Sequence, residues 1–154
     1  MRIMGIDYGD ARTGVAISDL LCSIVGSAQV VPSRNTDKAV ADIVRLAREN
    51  QVGEIAVGLP RNMDGTEGSR ANKSRRFAQR LANTAGVPVV LWDERRTTVS
   101  AAAILADNDT FGQKRKEKLD SVSAAVILES FLNWRAHHPG ETAPEQLMPR
   151  QEQV

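Results

Sequence analysis

The chain has 154 residues, of which 42% are hydrophobic and 25% charged, enough for one domain with its own core and ordinary for a soluble globular protein. Lys plus Arg number 20 and Asp plus Glu 19, a formal net charge of +1, so bulk charge points to no partner and only its distribution can. Cys22 is the only cysteine, which excludes a disulfide framework and suits a reducing cytoplasm. No apolar run approaches the roughly 18 residues of a membrane span, and Arg2 inside the first short apolar run reads against a signal peptide.

In chain order, Met1 to Tyr8 is apolar and stops at Gly9, which predicts a strand. The turn-type residues Gly9 to Gly14 separate it from a second run, Gly14 to Asp19, and the pair predicts an antiparallel β-hairpin. A third strand is expected over Ile24 to Val31, stopping at Pro32. Asn35-Thr36-Asp37 is a helix-capping sequence, and Val40, Ile43, Val44 and Ala47 recur behind it at helical spacing. Glu54 to Leu59 reads as a buried strand ended by Pro60, and Arg61 to Gly68 as a polar loop. A long helix is expected from Ser69 to Ala85, ended by Gly86. Val87 to Trp92 is a further strand, and Thr97 or Thr98 can cap a short helix through about residue 106. A basic loop, Gly112 to Lys118, leads to a last helix with Leu119, Val122, Val126 and Phe131 on its apolar stripe. Residues 136–154, rich in Pro, Glu and Gln, read as a disordered tail after a domain of residues 1–135. The order predicts an α/β domain whose mixed five-stranded sheet has three antiparallel and two parallel strands, flanked by helices.

Acidic residues stand at the ends of the apolar elements: Asp7 after the first strand, Asp93 and Glu94 after the last, Asp120 at the start of the last helix. In a mixed α/β sheet, ligands gather beyond the carboxyl ends of the strands. Carboxylates converging there repel one another unless a cation neutralises them. Hard divalent ions prefer such oxygen donors, and a pair of them can drive phosphodiester hydrolysis. Any one of these acids alone is more often a turn or cap residue. Asp93 best fits that structural role, through Arg95 or a backbone amide, and Asp10 and Asp64 read as loop residues.

Basic residues cluster nearby. Arg70, Lys73, Arg76 and Arg80 fall along one face of the long helix, Arg95 and Arg96 follow Glu94, and Lys114, Arg115, Lys116 and Lys118 precede Asp120. A basic rim around an acidic centre suits a polyanionic substrate, although a helix face of this kind can equally be solvated surface. With 3 Phe, 2 Trp and 1 Tyr, readout of bases by stacking is not supported. His137 and His138 fall in the expected tail, which argues against a histidine-based site. Gly5 and Gly9 form no phosphate-binding fingerprint and read as turn features.

Four blocks of sequence carry a family resemblance. Gly5-Ile6-Asp7-Tyr8-Gly9 with Arg12-x-Gly14-Val15-Ala16 resembles the opening of the YqgF/RuvX family, RNase H-like proteins described as pre-16S rRNA nucleases or Holliday-junction-resolvase homologues. Gly58-Leu59-Pro60 through Met63-Asp64-Gly65 to Phe77-Ala78, then Asp93-Glu94-Arg95 with Thr97-Thr98, then Lys116-x-x-x-Asp120 with Ala124-Ala125, follow in order and at compatible spacing. The resemblance covers about residues 1–134. It implies an RNase H-like fold and places catalytic, metal-binding carboxylates on Asp7, Glu94 and Asp120. It implies Mg²⁺ or Mn²⁺ as cofactor, a two-metal-ion hydrolase acting on ester bonds, and processing of the pre-16S rRNA 5′ end in ribosome biogenesis. The nucleic-acid contacts expected are Arg12, Arg70, Lys73, Arg76, Arg95, Lys114, Arg115 and Lys116. Three positions depart from the family pattern: Ala11 in place of a basic residue, Arg96 in place of Leu, and Ser123 in place of Ala. None removes a carboxylate.

The substrate expected is structured RNA, in precursor rRNA or the ribosome, or else branched DNA, since hydrolysis of either backbone needs the same carboxylates. A non-catalytic RNA-binding or transcription-related module is the binding alternative. An ATPase or sugar-kinase fragment shares an Ile-Asp-x-Gly hairpin, but enclosing ATP takes a second domain that 154 residues do not supply. A monomer or a homodimer is compatible with the sequence, and no membrane partner is expected.

Overall fold

The computed structural model describes residues 1–97 and 113–150, with the backbone alone over 113–118. Strands β1 (Arg2–Asp7), β2 (Arg12–Ser18) and β3 (Val25–Pro32) form an antiparallel meander. Helix α1 (Thr36–Glu49), strand β4 (Val52–Leu59), helix α2 (Ser69–Ala85) and strand β5 (Val89–Asp93) follow. A single 3₁₀ turn, Glu94–Arg96, leaves β5, and helix α3 (Gln113–His137) and strand β6 (Gln146–Leu147) close the fold. The sheet order is β3-β2-β1-β4-β5-β6, with β1, β4 and β5 parallel and β6 antiparallel to β5.

Side-chain alternation along the strands splits the core into two layers. Met4 and Ile6 of β1 join Val15, Ile17, Ile55 and Val57 beneath α1 and α2. Ile3 faces the other way, with Ala16, Ala56, Val90 and Trp92, against Ala124, Ile127, Leu128 and Phe131 of α3. The Asn35 side chain accepts from the Lys38 amide at 3.1 Å and caps α1, whose Val40, Ile43, Val44 and Ala47 are buried as their spacing predicts. At the far end of α2, Gly86 takes the left-handed conformation, φ 71°, which glycine adopts at little cost.

The meander and the two parallel strands match the expected sheet, and three features differ. Gln113 to Lys118, expected as a basic loop, are helical in backbone, so Asp120 stands two turns inside α3 rather than at its start. The sheet has a sixth strand: the segment expected to be a structureless tail folds back, Gln146 and Leu147 pair with Val90 and Val89, and the Leu91 amide donates to the Glu145 carbonyl at 2.8 Å. The Glu145 carboxylate is clasped by Arg61 and Arg75, and Ala143 is buried. Two strand residues and one ion-pair cluster leave no periodic trace in a sequence, which is why the segment reads as tail. The short helix expected after Thr98 lies outside the described residues.

Three glycines let α3 lie directly on the sheet. A Cβ on Gly5 would stand 2.6 Å from Leu128 Cβ, on Gly14 2.0 Å from the Asp120 carbonyl oxygen, and on Gly58 2.5 Å from Ile127 Cδ1. No real Cβ tolerates such distances, so a larger residue forces strand and helix apart. Gly14→Ala is therefore expected to lower stability by about 1–3 kcal/mol, read as a lower urea midpoint, whereas Gly26→Ala, where the nearest atom is 3.4 Å away, should change it by much less.

Candidate active site

The carboxyl ends of β1, β4 and β5 meet where α2 begins and α3 passes over the sheet. Asp7 is the last residue of β1 and pairs across the hairpin with Gly14. Because Gly14 has no side chain, the Asp120 turn of α3 drops onto that position. Glu94 leads the 3₁₀ turn after β5, and a Cβ on Gly58 would stand 2.6 Å from Glu94 Oε1, so the carboxylate lies over bare β4 backbone. Two absent side chains thus seat two of the three expected carboxylates.

The electrostatics show which groups come together. Burial pushes the Asp7 carboxyl up from 3.8 to about 6; Arg70 opposes this, Asp120 adds to it, and a hydrogen bond from Ser123 opposes it. Burial likewise pushes Glu94 up from 4.5 to about 7, aided by the charges of Asp7 and Asp93 and opposed by Arg70. Asp7 therefore feels Asp120, Glu94 feels Asp7, and Arg70 faces both half-buried acids. Asp120 is turned to Arg12, whose Nε donates to Asp120 Oδ2 at 2.8 Å. Among the described residues no group of three or more Asp, Glu, His or Cys is arranged to hold a metal ion. Asp7 and Glu94 form the centre, while an internal cation holds Asp120 at its edge.

This donor set fits a hard divalent cation. All its donors are carboxylate oxygens, and two of them are raised in pKa, first by burial and then by a neighbouring acid, Asp120 for Asp7 and Asp7 for Glu94, the condition a bound cation relieves. Asp7 and Glu94 would hold the ion, with Asp120 joining on release from Arg12.

The expected basic residues fall into distinct places. Arg70 lies beside Asp7 and Glu94. Lys73 pairs with Asp10 at 3.1 Å, and exposed Arg76 lines a depression with Tyr8 and Arg80. Arg95 is committed elsewhere: its guanidinium grips Asp93 at 2.7 Å and reaches the Met63 carbonyl, and Asp93 also caps the turn by accepting from the Arg95 amide. Asp93 thus has the structural role expected of it. The side chains of Lys114, Arg115 and Lys116 lie outside the described residues. Ser123, noted from the sequence only as a departure, hydrogen-bonds Asp7. Its position three residues after Asp120, on the same helix face, was the available signal.

The raised carboxyls set the sign of a pH effect. Their folded-state pKa values exceed the unfolded ones, so the stability they contribute is complete below about pH 4 and is lost as pH rises through 6 to 7. In EDTA, Asp7→Asn should match the parent's thermal stability near pH 5 more closely than at pH 8, where the variant should be more stable by about 2 kcal/mol. Added Mg²⁺ should raise the melting temperature of the parent at pH 8 and leave Asp7→Asn almost unmoved. A parent whose stability rises from pH 5 to 8 as steeply as the variant's would contradict this electrostatic picture.

The family model for RuvX, described as Holliday junction resolvase, matches residues 1–134. A protein of Halothermothrix orenii named "Putative pre-16S rRNA nuclease" is 43% identical over 135 residues, 88% of this chain and 96% of its own. One of the same name from Myxococcus xanthus is 42% identical over 142 residues, 92% of this chain and 93% of its own. Among solved structures, Thermus thermophilus RuvC in complex with a Holliday junction substrate aligns over 87% of this chain and 96% of its own, with a TM-score of 0.57 and 14% identity. A fowlpox virus resolvase bound to Holliday junction DNA aligns with a TM-score of 0.50 and 13% identity. At such identity these likenesses concern the fold, which is the RNase H-like fold of the resolvases. A match over residues 1–134, and relatives above 40% identity across most of both chains, leave one assignment: the chain belongs to the RuvX family.

Proposed function

We propose that this protein is a metal-dependent endonuclease that hydrolyses phosphodiester bonds in structured RNA, with the 5′ end of pre-16S rRNA as its substrate in a reducing cytoplasm. The observation that carries the reading is the pairing of half-buried Asp7 and Glu94 at the carboxyl end of the sheet, facing Arg70. Buried neighbouring acids beside an exposed arginine suit a cation on one side and a phosphate on the other. The relatives' shared name supports pre-16S rRNA as the substrate.

Asp7, Glu94 and, once released, Asp120 would hold Mg²⁺ or Mn²⁺. The chemistry such an ion or ion pair supplies is activation of water and neutralisation of charge on the leaving oxygen. The chain's own groups do the rest. Arg70 draws the scissile phosphate toward Asp7 and Glu94. Ser123, through its hydrogen bond, keeps the Asp7 carboxylate oriented. An incoming phosphate competes with Asp120 for Arg12, and an exchange of partners frees Asp120 for the cation. The Arg12–Asp120 pair is 28% and 30% exposed, open enough for a phosphate to reach the guanidinium and take the place of the carboxylate.

Asp7→Asn should abolish Mg²⁺- or Mn²⁺-dependent cleavage of a precursor rRNA fragment while leaving the circular dichroism spectrum unchanged. Cleavage at the parent's rate would rule out the catalytic assignment. The description of the RuvX family as Holliday junction resolvase supports a second reading, a resolvase of branched DNA. Cutting of a four-way DNA junction in preference to the rRNA fragment would establish that reading instead.

A further inference from the structure

Asp7 and Tyr8 are neighbours at the end of β1, and strand alternation sends their side chains to opposite faces of the sheet. Asp7 meets Ser123 of α3. Tyr8 packs into the other core layer, its ring stacked on Phe77 of α2 with centroids 4.3 Å apart. Beside Tyr8, on that second face, lies a depression of about 260 Å³ lined by Asp10, Thr36, Lys73, Arg76, Phe77 and Arg80. It is smaller than the roughly 300–1,000 Å³ of small-molecule clefts and carries three cationic side chains against one carboxylate.

The cations form a continuous path to the acidic centre. Arg70, beside Asp7 and Glu94, shares a notch with Tyr8, Gly9, Asp10 and Lys73. Lys73, Arg76 and Arg80 continue along α2 at steps of three and four residues, about 5–6 Å between neighbouring Cβ atoms. Two of them are held by exposed acids: Lys73 by Asp10, 72% exposed, and Arg80 by Asp37, 81% exposed. Such pairs contribute little and are readily exchanged for a phosphate. Exposed Arg76 has no carboxylate partner among the described residues.

We propose that this depression is a phosphate subsite for the substrate strand, which crosses the carboxyl edge of the sheet from the Asp7–Glu94 face, over Gly9 and Asp10, to the α2 face. The proposal rests on the nuclease reading for its strand, and it adds the direction in which the strand leaves the acidic centre. Lys73, Arg76 and Arg80 bind the backbone without reading bases. Phe77 is buried and already stacked on Tyr8, so its ring is not free to stack on a base.

The test is RNA binding in EDTA, where cleavage is absent, measured by fluorescence anisotropy of a labelled precursor rRNA fragment across a salt series. Arg76→Ala should weaken binding about three- to tenfold at low salt and lower the salt slope by about 1. Arg80→Ala should act in the same direction. Arg45→Ala removes the same charge from an α1 position that is 64% exposed and lies nine residues beyond Thr36, so it should leave both quantities near the parent's. The subsite is overturned if the parent binds no RNA, if Arg76→Ala matches the parent, or if Arg45→Ala loses as much. Displacement of the RNA by low-millimolar inorganic phosphate would also overturn it, by showing a small-anion site. Its failure differs from failure of the nuclease reading: Asp7→Asn should bind RNA at least as tightly as the parent under these conditions, whatever its cleavage activity.

Discussion

The close approach of α3 to bare backbone at Gly5, Gly14 and Gly58 sets the position of almost everything else. Without those three absent side chains the helix would ride higher, and Asp120 would stand away from the Asp7–Gly14 rung of the hairpin. Gly58 does the same for Glu94, which occupies the space a side chain on β4 would take. The steric constraint that packs Leu128 and Ile127 into the core is therefore the one that gathers the carboxylates. Core packing and site assembly are a single event in this fold.

That assembly has an electrostatic cost, and the chain offsets it with arginines. Asp7 and Glu94 are half-buried near each other, and burial raises the pKa of both. Arg70 relieves both, and Arg12 takes up Asp120. Each arginine suits a phosphate as well as a carboxylate, and the proposed function rests on that exchange. A different device operates away from the site, where Arg61, just after β4, and Arg75 of α2 gather Glu67 and Glu145 and tie the C-terminal segment to α2 and the loop before it.

Much of this was legible in the sequence because it has local signatures. The hairpin follows from two apolar runs around a Gly-bounded loop, α1 from Asn35 and its apolar period, and the end of α2 from Gly86. Asp7 and Glu94 stood out as acids at the ends of apolar strands. What stayed hidden depends on contacts between distant segments. Gly5 reads as a turn residue because no local pattern announces that Leu128 will press on it. Glu145 sits in an aperiodic stretch because its partners, Arg61 and Arg75, are far away in sequence. The Arg95–Asp93 pair, only two residues apart, is by contrast one that the sequence anticipated. Asp120 was read at a helix start because the basic residues before it look like a loop, whereas their backbone continues the helix.

The central claim is that the chain folds to bring Asp7, Glu94 and Asp120 to one cation at the carboxyl end of the sheet. The most direct measurement is a crystal structure grown with Mn²⁺, with data collected at the manganese absorption edge. The account predicts an anomalous peak held by Asp7 and Glu94, with Asp120 released from Arg12 and turned toward it. A structure in which Mn²⁺ binds elsewhere, or in which Asp7 and Glu94 point apart with no peak between them, would contradict it.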